Sequence, residues 1–172
     1  EISARTLSKF HVVNYTIPTE SNMKRIFESI GAFKFQVFDE EIKNLAEPLA
    51  AASINLFNIV QEQFLPTPAK SHYVFNMRDV SKVFQGLYLA DKNFYEGKEH
   101  ILKLWAHEIL RVFQDRLNSA ADRDRFKGFL NEQLETIFQM NYAEHCTTAG
   151  EDALFVDFLN ENMAVYEEVT DF

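Results

Sequence analysis

Cysteine is nearly missing from this sequence. Cys146 is the only one in 172 residues, so no disulfide can form within the chain, and a reducing compartment is the simplest setting. Glycine (5) and proline (4) are also scarce. A barrel or sandwich turns often and needs more of both, so the composition favours helices. No apolar run approaches the roughly 18 residues of a membrane span. Basic residues number 17 against 26 acidic ones, and the net charge of -9 disfavours nucleic acid and anionic membranes as direct partners. The opening "EISARTLSKF" is neither a leader peptide nor a methionine start, so a piece of a larger chain is expected.

Enzyme signatures are missing too. There is no G-x-x-x-x-G-K-[ST] phosphate loop, because Gly97-Lys98 is followed by Glu99 and lacks the upstream glycine. No G-x-S-x-G elbow occurs. "HEILR" at 107–111 begins like the zinc motif H-E-x-x-H, but Arg111 replaces the second histidine and would repel the metal. The five histidines are scattered without ligand spacing. A self-contained enzyme is not expected.

What is present suits one domain with a real core: 47% hydrophobic residues, 17 of them phenylalanine. Residues 10–17, "FHVVNYTI", read as one strand. A lone strand is not stable, so it pairs within an assembly or belongs to a sheet outside this chain. Thr19 caps a first helix carrying Met23, Ile26, Phe27 and Ile30, and Gly31 is placed to end it. A long helical pattern covers 39–65, with Pro48 as a kink or in the first turn of its main part. After the rigid "PTPAKS", Asn76 caps a helix over Met77–Tyr88 whose apolar face is Val80, Val83, Phe84 and Leu87. A helix over 98–117 carries Trp105 in its stripe, as core rather than as a binding platform. The last helix, capped by Asn118 or Ser119, uses Phe126, Leu130, Leu134 and Phe138. Beyond it "EHCTTAGEDA" reads as loop, "LFVDFLN" as a short apolar segment, "AVYEEVTDF" as extended, and the acidic "NEN" and "YEE" as solvated. The picture is mainly α: one strand, about five helices, then a linker.

Arg78 and Asp79 are the residues that invite a functional reading. An "RD" pair is often a surface ion pair. Arg78, however, lies in the first turn of a capped helix, where free N–H groups and the helix dipole already favour an anion. A cation there does not help the helix, whereas its planar fork suits phosphate oxygens. Arg5 reads as an ordinary exposed arginine, and His72 and Tyr73 either serve the loop or border a ligand. A non-enzymatic helical interaction module, with the RD pair purely structural, is the competing reading.

Longer stretches carry a resemblance. "LPTPAKSHYVFNMRDVSKVFQGL" is similar to the lid segment of dynein heavy chains, L-P-P/T-P-x-K-x-H-Y-x-F-N-x-R-D-x-S-x-V-x-x-G. "ILKLWAHEILRVFQDRL" resembles their later lid helix, W-x-H-E-x-x-R-V-F-x-D-R-L. "ISARTLSKFHVVNYTIPTESNMKRIF" resembles the end of an AAA+ large subdomain, and "YEEVTDF" the approach to the following module. The combination resembles the third of six AAA+ modules of an axonemal heavy chain.

The resemblance implies a division into 1–19, the edge of an α/β core; 20–140, a helical AAA+ lid; and 141–172, a linker. The remaining core, with its phosphate loop, would lie upstream. It implies that Arg78 is a sensor-II arginine reaching the terminal phosphates of ATP or ADP held with Mg²⁺ mainly by that core, with Asp79 orienting Arg78 or a neighbouring backbone group. Arg5 would be an arginine finger acting on the preceding module, although Ala4 and Ser8 replace the proline and second arginine of the family pattern P-R-x-x-R-H-F. The parent would be an ATP-driven microtubule motor of the ciliary axoneme, with intermediate and light chains and a coiled coil elsewhere. No nucleic-acid or membrane partner is implied. Tubulin is acidic, so the microtubule contact is expected away from this acidic segment.

Overall fold

The computed structural model describes residues 2–16, 18–95, 97–148, 150–159 and 165–170. Five long helices dominate: α2 (Glu20–Phe35), α4 (Ala46–Gln63), α5 (Met77–Leu87), α6 (Lys98–Phe113) and α7 (Ala120–Gln133). Four-residue helices α1 (Ala4–Leu7), α3 (Glu40–Lys43) and α8 (Tyr142–His145) punctuate the chain. The bundle expected from the sequence is therefore present.

The helix starts follow the capping residues. The Thr19 hydroxyl accepts from Asn22 N, and Asn76 caps α5. Pro48 falls in the first turn of α4, where its missing N–H costs nothing. Helix α6 ends at Phe113 and tightens into a 3₁₀ turn over Gln114–Arg116, and α7 runs into a π-helical turn over Leu134–Phe138.

Helix α2 corrects the expectation at Gly31. The helix runs on to Phe35, and Gly31 is buried on the face with Met23, Phe27 and Phe35. A Cβ at Gly31 would meet Ala46 Cβ at 3.5 Å, so this glycine marks close helix packing and not a stop. Ile26 points outward instead of into the core. Helix α2 packs on α4, and α5 on α6. Phe27 stacks on Phe84 of α5 with centroids 4.9 Å apart. Trp105 is fully buried at the centre, and its indole N–H donates to Ser53 Oγ at 2.9 Å. Each such side chain contributes about 2–3 kcal/mol of apolar burial.

The strand expected over 10–17, with its partners outside this chain or in an assembly, makes no ladder among the described residues. Residues 11–16 carry no ladder, Ile17 lies outside the described residues, and Phe10, Val12, Val13 and Tyr15 are all exposed, Tyr15 to 88%. Strand residues gain from cross-strand partners, and no described segment pairs with this one.

The C-terminal segment folds back on the bundle in two small hairpins. Strand β1 (Thr147–Thr148) pairs with β2 (Glu151–Asp152), and β3 (Phe155–Val156) with β4 (Glu167–Glu168). The "YEE" triplet expected to be solvated is instead anchored. Tyr166 is buried, and Glu168 pairs with Lys103 of α6 at 2.5 Å. "NEN" at 160–162 lies outside the described residues.

Candidate functional site

The start of α5 is a built capping box. Asn76 is extended (φ -141°, ψ 172°), its Oδ1 accepts from Arg78 N at 2.9 Å, and Asp79 Oδ2 accepts from Asn76 N at 2.9 Å. Asp79 is buried to 1% exposure and pairs with Arg116 Nη1 at 3.0 Å and Lys82 Nζ at 3.3 Å. Its carboxylate thus serves the backbone and two cations, and no hydrogen bond joins it to the Arg78 guanidinium. Arg78 is exposed, and its guanidinium forms no hydrogen bond or ion pair with the described residues.

Arg78 lines a groove of roughly 840 Å³ between the extended lead-in, α2, α4 and the start of α5. Pro18, Met23, Phe57 and Met77 supply apolar wall, and Asn58, Gln61 and Asn76 supply amides. Among the described lining residues Arg78 is the one cation and Glu20 the one acid. An apolar cleft with a few convergent polar groups fits a small organic ligand. The free fork of Arg78 and the helix start give it one anion-seeking end. Among the described residues no cluster of His, Cys, Asp or Glu could hold a metal ion. The donor set therefore suits the anionic and apolar parts of a ligand, not a divalent cation.

Arg5 sits in the exposed turn α1, capped by Ser3, with no hydrogen bond or ion pair to Arg78 or Asp79. His72 and Tyr73 serve the loop. The Tyr73 hydroxyl donates to Asp122 Oδ2 at 2.9 Å and lies 3.0 Å from Asn118 Oδ1, while His72 Nε2 donates to Arg116 O at 3.0 Å. Lys70 pairs with Asp122, which holds the proline-rich joint on α7.

Sequence reasoning missed a second polar centre, on α6. Glu108 is fully buried, yet it accepts from Arg111 Nη2 at 2.5 Å and Nε at 3.0 Å, and from the Tyr166 hydroxyl at 2.5 Å. His107 Nδ1 donates to Ala153 O at 3.0 Å, and the Tyr95 hydroxyl donates to Tyr166 O at 2.5 Å. Burial lowers the His107 pKa and raises those of Tyr166 and Tyr95. The signal was present: Glu108 lies four residues after Leu104 and three after Trp105, inside the apolar stripe. Cys146 is buried nearby, its thiol pushed up to about 12 by desolvation, so it is inert.

Residues 26–123 match the family described as "Dynein heavy chain, ATPase lid domain". The chain is 43% identical over 170 residues to human "Dynein axonemal heavy chain 2", covering 99% of this chain and 4% of that protein. It is 40% identical over 172 residues to the Chlamydomonas reinhardtii "Dynein-1-beta heavy chain, flagellar inner arm I1 complex", covering 98% of this chain and again 4% of the relative. The chain thus spans only about 4% of the length of these relatives. Since the matched region contains α4, α5 and α6 with the capped Arg78 turn, the chain belongs to the dynein heavy chain family, as an ATPase lid domain of axonemal type.

Proposed function

We propose that this lid closes over ATP or ADP and couples nucleotide state to movement of a ring of AAA+ modules in an axonemal, microtubule-based motor. The observation that carries the reading is the groove whose one described cation, Arg78, stands unpaired at a capped helix start. Residues 20–140 act as the lid of the third module, 1–19 as the edge of its α/β core and 141–172 as the linker to the next. Arg78 meets the terminal phosphates. An arginine that touches one phosphate favours a different lid position in ATP than in ADP. Asp79 fixes the turn from which Arg78 projects. Arg5, exposed on α1, acts on the nucleotide of the preceding module.

Mg²⁺ bound with the nucleotide would neutralise phosphate charge, and since Glu20 is the one acid among the described groove residues, its ligands would come from outside this chain. The adjacent modules are the direct partners. Microtubule, intermediate-chain and light-chain contacts belong to distant parts of the heavy chain. A charge-assisted hydrogen bond contributes about 1.5–3 kcal/mol, and each ~1.4 kcal/mol is tenfold. Arg78→Ala in the whole heavy chain is therefore expected to weaken nucleotide affinity at this module by about 10–100-fold. Unchanged affinity, ATP turnover and nucleotide-dependent motility, with the fold intact by circular dichroism, would overturn the reading.

A further inference from the structure

We propose that Arg116 is the positioning residue for Arg78: from the turn that follows α6 it grips the segment starting α5 and so sets where the Arg78 guanidinium stands. The proposal rests on the reading that Arg78 meets phosphate. Arg78 has no tether of its own among the described residues, so its place is inherited from the backbone beneath it. That backbone is held at several points by Arg116. Arg116 Nη1 donates to Val74 O at 3.1 Å and to Asp79 Oδ2 at 3.0 Å, and its guanidinium lies 5.3 Å from the centre of the Phe75 ring. Three residues of the six from Val74 to Asp79 are thus engaged by one side chain.

The same Asp79 oxygen closes the capping box on Asn76 N. Arg116 therefore acts on the very atom that defines the helix start. Gln61 of α4 donates to Phe75 O at 3.0 Å from the other side, so the segment is pinned between two helices. The pair is not an ordinary surface bridge. Asp79's side chain is 2% exposed and Arg116's 34%, so its attraction is screened less than that of an exposed pair.

The far end of α5 is held by the same stretch of chain. Gly86 lies against Glu108 so closely that no Cβ fits. Glu108 and Arg116 are eight residues apart, a span of roughly 12 Å at helical rise, close to that of Asp79 and Gly86 along α5. Two grips about two turns apart prevent α5 from pivoting on α6. Releasing the grip at Arg116 frees the end that carries Arg78. An angstrom of misplacement at a site that relies on orientation costs on the order of 100-fold.

The test is a double-mutant cycle in the whole heavy chain, with Arg78→Ala, Arg116→Ala and both together. Binding of Mg·ATP and Mg·ADP at this module is read by crosslinking of azido-nucleotides to its peptides, and the fold by circular dichroism. Arg116→Ala is expected to weaken Mg·ATP binding at least tenfold, and to add less than about twofold when Arg78 is already alanine, because it works through Arg78. Arg116→Lys keeps a cation beside Asp79. It replaces the alanine variant in the cycle if that one does not fold, with at least a threefold loss expected and the same non-additivity. A folded Arg116 variant that binds Mg·ATP like the parent, or whose effect multiplies that of Arg78→Ala, overturns the positioning role. No effect of Arg78→Ala itself overturns the phosphate reading instead, so the two failures are distinguishable.

Discussion

Gly86→Ala is expected to destabilise the lid although it improves the local helix propensity. An alanine inside a helix is favoured over glycine by about 1 kcal/mol. At Gly86 the added Cβ would stand 2.5 Å from Glu108 Cγ, with the carboxyl group nearer still. A long flexible side chain could normally swing away, but Glu108 is fully buried and held by Arg111 and by the Tyr166 hydroxyl. To make room it must break those contacts, or α5 must move off α6. Overpacking a filled core costs about 1–3 kcal/mol, and leaving the buried Glu108 carboxylate without its partners about 3–5 kcal/mol. Subtracting the propensity gain from the cost of the stranded carboxylate leaves a net loss on the order of 2–4 kcal/mol.

The assay is urea unfolding of the 172-residue chain, followed by the fluorescence of its single tryptophan, Trp105. With a slope of about 2 kcal/mol per molar urea, the midpoint should fall by about 1–2 M. Gly128 in α7 supplies the control, because a Cβ there meets nothing within 4 Å. Gly128→Ala should raise stability by about 0.5–1 kcal/mol. If Gly86→Ala matched or exceeded the parent while Gly128→Ala behaved as expected, the close approach of α5 to Glu108 would be refuted.

Ser53→Ala should cost about 1–2 kcal/mol, because it strands the buried Trp105 N–H that now donates to Ser53 Oγ. Unchanged unfolding midpoint and tryptophan emission would contradict that bond. Stability should also fall with acid. Burial lowers the His107 pKa below its ordinary 6.5, against an opposing pull from the Glu108 carboxylate. As pH drops below about 6.5 the unfolded chain takes up a proton that the folded one refuses, so unfolding is favoured. The contribution of His107 is therefore constant above that pH and declines as pH falls through the folded pKa. His107→Gln should flatten the slope between pH 7 and 5.5, and the same slope in the variant would dismiss His107 as its source.

The long helices were legible because each repeats its apolar residues at helical spacing, as Val80, Val83, Phe84 and Leu87 do on α5. Where the reading failed, the deciding interaction was not local. Gly31 satisfies every rule for a helix end, yet its missing side chain is used by Ala46, fifteen residues on. Residues 10–17 have strand composition, and since a strand is a property of a pair whose other member is expected outside this chain, no ladder forms among the described residues. The hairpins of the C-terminal segment use strands of two residues, too short for any alternation to register. At the site, Asn76 announced the helix start and hence the placing of Arg78. The residue that grips that start, Arg116, lies 37 positions from Asp79, beyond the reach of periodicity.

On helix α6 the acid of a motif that resembles half of a zinc site is engaged by protein groups. The acid of "HEILR" is turned to Arg111 one helical turn away, and its free oxygen to Tyr166 from the far end of the chain. Burying a carboxylate this way adds little to stability, since a hydrocarbon of the same volume would pack as well or better. A hydrocarbon would, however, accept Tyr166 and α5 in several registers. A carboxylate with two filled hydrogen-bonding directions accepts one, and the bare backbone of Gly86 fits only against that one. Glu108 therefore specifies how α5 and the C-terminal segment sit on α6 together. On the proposed reading, a displacement that nucleotide imposed on Arg78 would be delivered through a helix packed on the same Glu108 that holds Tyr166, so the lid and the C-terminal segment would move together.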